Sequence, residues 1–140
     1  MPLGLRKDAK IELMKKVPLF ASLGNAQLAQ VASIADEVRL PEGKVLTREG
    51  ERGREFFILI DGEVEVRRKG RKVATMMPGE FFGELALVSN RPRTATATAS
   101  KPVRVLVVKD TSFRSVLLRT PQIALKVLQA AVERLPPATP

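Results

Sequence analysis

The chain has 140 residues, 44% hydrophobic and 28% charged, a composition suited to one soluble globular domain rather than to a disordered chain. It contains no cysteine and no histidine, which excludes disulfide frameworks, Cys/His zinc sites, thiolate nucleophiles and every catalytic scheme that needs an imidazole base. Its 24 Lys and Arg against 15 Asp and Glu leave a net charge of +9, a balance that attracts anions, with nucleic acid, anionic lipid and nucleotides as candidates. No apolar run approaches the ~20 residues needed to cross a bilayer, and the N-terminus has no apolar signal core, so the expected location is the cytoplasm.

In chain order, Ile11, Leu13, Met14 and Val17 fit one face of a helix over Asp8 to Val17, which Pro18 stops. Asn25 is the expected N-cap of a second helix carrying Leu28, Val31, Ala32 and Ile34. From Asp36 the period changes to two. Val38 and Leu40 alternate with Arg39, and Val45 and Leu46 follow the Pro41-Glu42-Gly43 turn. Phe56 to Ile60 is a continuous apolar run closed by Asp61-Gly62, which reads as a hairpin turn into a strand with Val64 and Val66. A basic tip, Arg67 to Lys72, leads to a strand from Val73 to Met77, and two more are expected at Thr94 to Ala99 and Val103 to Val108. Short strands with glycine turns argue for a β-sandwich or β-barrel of jelly-roll type, and an antiparallel jelly-roll barrel is the expectation. After it, Asp110 or Thr111 can cap a helix with Phe113, Val116 and Leu117, and Pro121 opens a last helix reaching Leu135. The fold class is α+β, a jelly roll flanked by N-terminal and C-terminal helices.

One stretch breaks this regularity, Pro78 to Thr96. It reads as a loop entering a very short helix at Gly83, where a glycine lets backbone approach a ligand and first-turn N–H groups can bind an anion. Glu84 beside that site is a poor phosphate ligand but can accept hydrogen bonds from sugar hydroxyls. Arg93, nine residues on, can close over a phosphate with its forked guanidinium.

With Phe82-Gly83-Glu84-Leu85-Ala86-Leu87, a spacer, and Pro92-Arg93-Thr94-Ala95-Thr96, this stretch resembles the phosphate-binding cassette of the cyclic nucleotide-binding domain family. The resemblance runs from about Val17 to about Leu135 and is to the ligand domains of bacterial cyclic-nucleotide-gated channels. It implies that Gly83, Glu84, Leu85 and Ala86 form the cassette's short helix, with backbone N–H groups facing the cyclic phosphate or ribose. It implies that Glu84 accepts the ribose 2′-hydroxyl, that Arg93 pairs with the phosphate charge, and that Thr94 adds backbone and hydroxyl contacts. In eukaryotic members a hydroxyl residue after the arginine favours cGMP, whereas bacterial members with one often respond to cAMP. The expected ligand is cAMP, with cGMP the competitor. Arg134 resembles the arginine that caps the base in bacterial channels, and Val66, Val73 and Ala74 are candidates for an apolar base pocket. Phe81 and Phe82 are expected as core plugs.

The resulting expectation is a regulatory sensor domain and not an enzyme, with no metal and no cofactor beyond the cyclic nucleotide ligand. Residues 1–24 are expected as an N-terminal helical segment or linker, 25–135 as the cyclic nucleotide-binding domain and 136–140 as a tail. The tail holds no DNA-binding module, so the output domain or partner protein lies outside this sequence. A bacterial ion channel is the favoured parent, and a stand-alone sensor acting on a protein partner is the alternative. A basic nucleic-acid-binding module, motivated by the net charge and the Arg67 to Lys72 tip, stands third. Glu49, Glu51 and Glu55 are close enough in sequence to suggest acid/base work, but alternate turn carboxylates are usually solvated.

Overall fold

Two helices lead the chain. In the computed structural model, which describes residues 7–21, 23–83 and 91–133, α1 spans Lys7–Met14, a 3-10 turn follows at Pro18–Phe20, and α2 spans Asn25–Ala32. The first helix stops before the expected Val17. Pro18 disfavours helical backbone at the residue before it, and Val17 is extended, with φ −90° and ψ 121°. The second helix also shifts by one. Gly24 holds the cap position and Asn25 is the first helical residue, because the Gln27 side chain reaches back to accept the Gly24 N–H at 3.2 Å.

The strands among the described residues are β1 (Ala35–Leu40), β2 (Val45–Thr47), β3 (Glu55–Asp61), β4 (Val64–Arg68), β5 (Arg71–Met76), β6 (Phe81–Phe82), β7 (Thr96–Ala99) and β8 (Val103–Lys109). All their pairings are antiparallel. They form two four-stranded sheets, ordered β1-β8-β3-β6 and β2-β7-β4-β5. The fold is therefore the expected antiparallel jelly roll flanked by helices, with its strands in two facing sheets and no pairing between the sheets among the described residues. The Asp61-Gly62 turn departs from the hairpin expected of it. It connects β3 to β4, which lie in different sheets, so it is a corner between layers. The true hairpin is the next one, β4 to β5, around the basic tip.

The unbroken apolar run in β3 has a simple cause. Its sheet is covered on both faces, so both side-chain sets are buried. Phe56 and Ile58, with Leu106 and Val108 of β8, face a core built with the helices, including Met14, Val17, Phe20, Leu28 and Phe113. Phe57 and Leu59, with Val103 and Val105, face the second sheet and meet Val64, Ala97 and Ala99. The order is helices, sheet, sheet.

The chain closes with α3 (Asp110–Arg119) and α4 (Pro121–Glu133). Lys109 occupies the cap position of α3, and the Asp110 carboxylate accepts the Thr111 N–H at 2.7 Å from inside the first turn. Pro121 opens α4 as expected, because its fixed φ and missing N–H suit a first helical position. Ile123 and Val127 of α4 are buried, whereas Leu125, Leu128 and Val132 are exposed.

Candidate functional site

The Arg91-Pro92-Arg93-Thr94 segment carries no regular structure, yet Arg93 is held at several points. Its N–H donates to the Glu51 carbonyl at 2.8 Å, and its own carbonyl accepts the Gly50 N–H at 2.9 Å. Both bonds fasten it to the loop between β2 and β3. Its Nη2 donates to the Glu55 carbonyl at 2.6 Å. Backbone groups of the loop between β2 and β3 thus fix both the main chain and the guanidinium of Arg93.

Two glycines make room for that guanidinium. A Cβ on Gly53 would lie 1.8 Å from Arg93 Nε, and one on Gly83 would lie 2.7 Å from Nη1 and 2.5 Å from the Glu55 carbonyl oxygen. Gly83 also sits at φ +92°, in the left-handed region that favours glycine. The guanidinium is therefore packed between two stretches of bare backbone.

Beside it lies a cavity of about 770 Å³, within the size range of small-molecule sites. Its apolar wall comes from Val66, Val73, Ala74, Met76, Phe82 and Ala97. Several of these belong to the core between the sheets, so the cavity continues that core outward. Its polar wall includes Arg68, Arg91, Arg93 and Thr94, with Glu80 as the carboxylate among the described lining residues. Glu80 is occupied in part by the Met77 N–H, at 2.9 Å. The combination of an apolar slot and a cationic edge suits a flat ring attached to an anion.

Of the residues singled out from sequence, Gly83, Arg93 and Thr94 come together on this cavity, and Val66, Val73 and Ala74 join them. Glu84, Leu85, Ala86 and Arg134 lie outside the described residues. Phe81 is a core plug, buried with its ring 5.4 Å from that of Phe56. Phe82 has a double role, because it stacks on Phe57 at 4.8 Å and also lines the cavity. Glu49, Glu51 and Glu55 serve the loop. Glu49 accepts the Lys69 N–H at 2.8 Å, and the other two hold Arg93 through backbone carbonyls. Sequence reasoning missed Gly53, whose importance comes from an arginine 40 positions away in the chain and leaves no local signal. It also saw Arg68 only as part of a basic tip. No helix among the described residues is long and apolar enough to cross a membrane.

The family model described as the cyclic nucleotide-binding domain matches residues 37–120. A cyclic nucleotide-gated potassium channel of Rhizobium etli is 35% identical over 88% of this chain and 34% of its own length. A cAMP-dependent protein kinase regulatory subunit of Mycosarcoma maydis is 34% identical over 84% of this chain and 24% of its own. The chain thus spans about a third or less of these relatives. Among solved structures, one described as cAMP-bound PfPKA-R superposes with a TM-score of 0.80 at 29% identity, covering 91% of this chain and 44% of that one.

Proposed function

Because the chain belongs to the cyclic nucleotide-binding domain family, we propose that its cavity takes a 3′,5′-cyclic nucleotide, cAMP in preference to cGMP, and that it acts as a regulatory sensor and not as an enzyme. The observation that carries this reading is the Arg93 guanidinium, held between Gly53 and Gly83 at the edge of an apolar slot. A cyclic phosphodiester carries one negative charge, and a forked cation fixed in advance meets it with little loss of side-chain freedom. The purine lies against Val66, Val73 and Ala74, and Thr94 flanks it. Glu84 takes the ribose hydroxyl, and Gly83 to Ala86 supply backbone donors.

Relatives in channels and in kinase regulatory subunits support an output outside the cavity. We favour a bacterial channel as that context, with the domain in the cytoplasm, and regulation of a separate partner protein as the second reading. In either case α4 is the moving part. Among the described residues it contributes none of the cavity wall, and its exposed Leu125, Leu128 and Val132 fold over the base as a lid, with Arg134 following. Binding shifts that equilibrium only through tighter affinity for the closed state.

Isothermal titration with cAMP and with cGMP tests the function directly. The expected result is one-site binding, tighter for cAMP, with Arg93→Ala weakening it roughly ten- to a hundredfold, the range for losing a hydrogen bond to a charged group. Unchanged affinity in Arg93→Ala would reject the assignment.

A further inference from the structure

Besides Arg91 and Arg93, a third arginine borders the cavity, from outside the cassette segment. Arg68 is the last residue of β4 and lines the cavity together with the segment that carries Arg93. Its Nε donates to the Thr94 carbonyl at 3.1 Å, which holds the guanidinium beside Thr94, another lining residue of the cavity. Its neighbour Arg67 is satisfied by Glu65 and by the Gly70 carbonyl at 3.0 Å. Glu49 is taken up by the Lys69 N–H. Among the described residues, no carboxylate lies within ion-pair distance of Arg68. One N–H of its guanidinium is used, and the rest of the fork and its whole charge remain for something else.

We propose that Arg68 is a second anion-recognition residue of this site, supplying electrostatic attraction and a charge-assisted contact to the phosphate end of the bound cyclic nucleotide. This rests on the function proposed above and assigns part of it to a residue outside the cassette. The carbonyl that anchors Arg68 belongs to the residue immediately after Arg93. The two cations therefore flank one short piece of backbone and act on the same charge. Arg68 is solvent-exposed, so salt screens its contribution, in contrast to that of the packed Arg93.

The test is cyclic nucleotide affinity of wild type, Arg68→Gln and Arg68→Lys across a salt series. At low salt Arg68→Gln is expected to bind about three- to fivefold more weakly, the scale of an exposed ionic contact. That difference closes as salt rises, while Arg68→Lys stays near wild type because it keeps the charge. A purely structural tie to Thr94 predicts otherwise: a loss in both variants that is equal at every salt concentration. Such a parallel loss, or a low-salt affinity of Arg68→Gln equal to wild type, overturns the inference and leaves the proposed function standing. A wild-type chain that binds neither cAMP nor cGMP overturns that function, and the role of Arg68 with it.

Discussion

Arg93 has a long, rotamer-rich side chain, and ordering it at the moment of binding would cost affinity. Here the ordering is done during folding, by the Glu55 carbonyl and by the close approach of Gly53 and Gly83. Gly53 gives the cleaner probe of that idea, since Gly83 combines close contact with a left-handed backbone. In Gly53→Ala the new methyl would collide with Arg93 Nε and Cζ, at 1.8 and 2.3 Å. A flexible side chain yields more easily than backbone, so the guanidinium moves and the fold survives. Gly53→Ala is expected to lose cyclic nucleotide affinity about tenfold or more while its melting temperature stays within a few degrees of wild type. Calorimetric binding and thermal unfolding on the same sample check both halves.

Strands β1 and β8 are joined by more than their ladder. Glu37 of β1 accepts from Arg104 Nε of β8 at 3.1 Å and from Arg39 Nε at 3.2 Å, with its side chain only 7% exposed. Burial works to raise the Glu37 pKa, but the hydrogen bonds from Arg104 and Arg39, with their charges, outweigh it and hold the carboxyl below its ordinary 4.5. A carboxyl more acidic in the folded than in the unfolded chain stabilises the fold at pH above the unfolded value, and that contribution is lost as pH falls through the folded one. Wild-type stability is therefore expected to decline as pH drops below 4.5, and in Glu37→Gln the decline is shallower, as denaturant midpoints measured along the acid limb would show. Strand β3, next to β8 in the same sheet, depends on packing. Ile58 is fully buried in the helix-side core, so Ile58→Ala is expected to cost about 2–5 kcal/mol of stability in denaturant unfolding.

Ligand and fold are linked through mass action. A ligand that binds only the folded chain stabilises it by about 2.7 kcal/mol at a hundred times its Kd, which appears as a rise of several degrees in melting temperature for cAMP. At the same ligand concentration Arg93→Ala, binding ten- to a hundredfold more weakly, is expected to keep only about 0.4–1.4 kcal/mol of that stabilisation, so its rise is about half of wild type's or less. The C-terminal helix reports on the rest of the molecule. Leu128 is 60% exposed, so replacing it removes no core contact. Leu128→Gln is expected to leave unfolding without nucleotide unchanged within about 0.5 kcal/mol and, under the closure of α4 proposed above, to weaken nucleotide binding. A Leu128→Gln affinity equal to wild type would remove α4 from the closing motion.

Much of this protein was legible without coordinates, because its elements are set by local rules. Period-two apolar residues made the strands, Pro18 and Pro121 bounded the helices, and the spacing from Phe82 through Arg93 to Thr96 carried the family. What local rules leave open is which elements meet. Whether Asp61-Gly62 pairs its two strands or turns a corner between sheets depends on where β8 inserts, far along the chain. Gly53 looks like any loop glycine until a guanidinium from position 93 packs on it, and Arg68 looks like one more surface cation until Thr94 turns it toward a cavity. The sequence determined the strands, the helices and the family. Only the tertiary structure decided which of these elements meet at the cavity, because contacts between distant positions are selected by burial of the whole chain and not by the residues beside them.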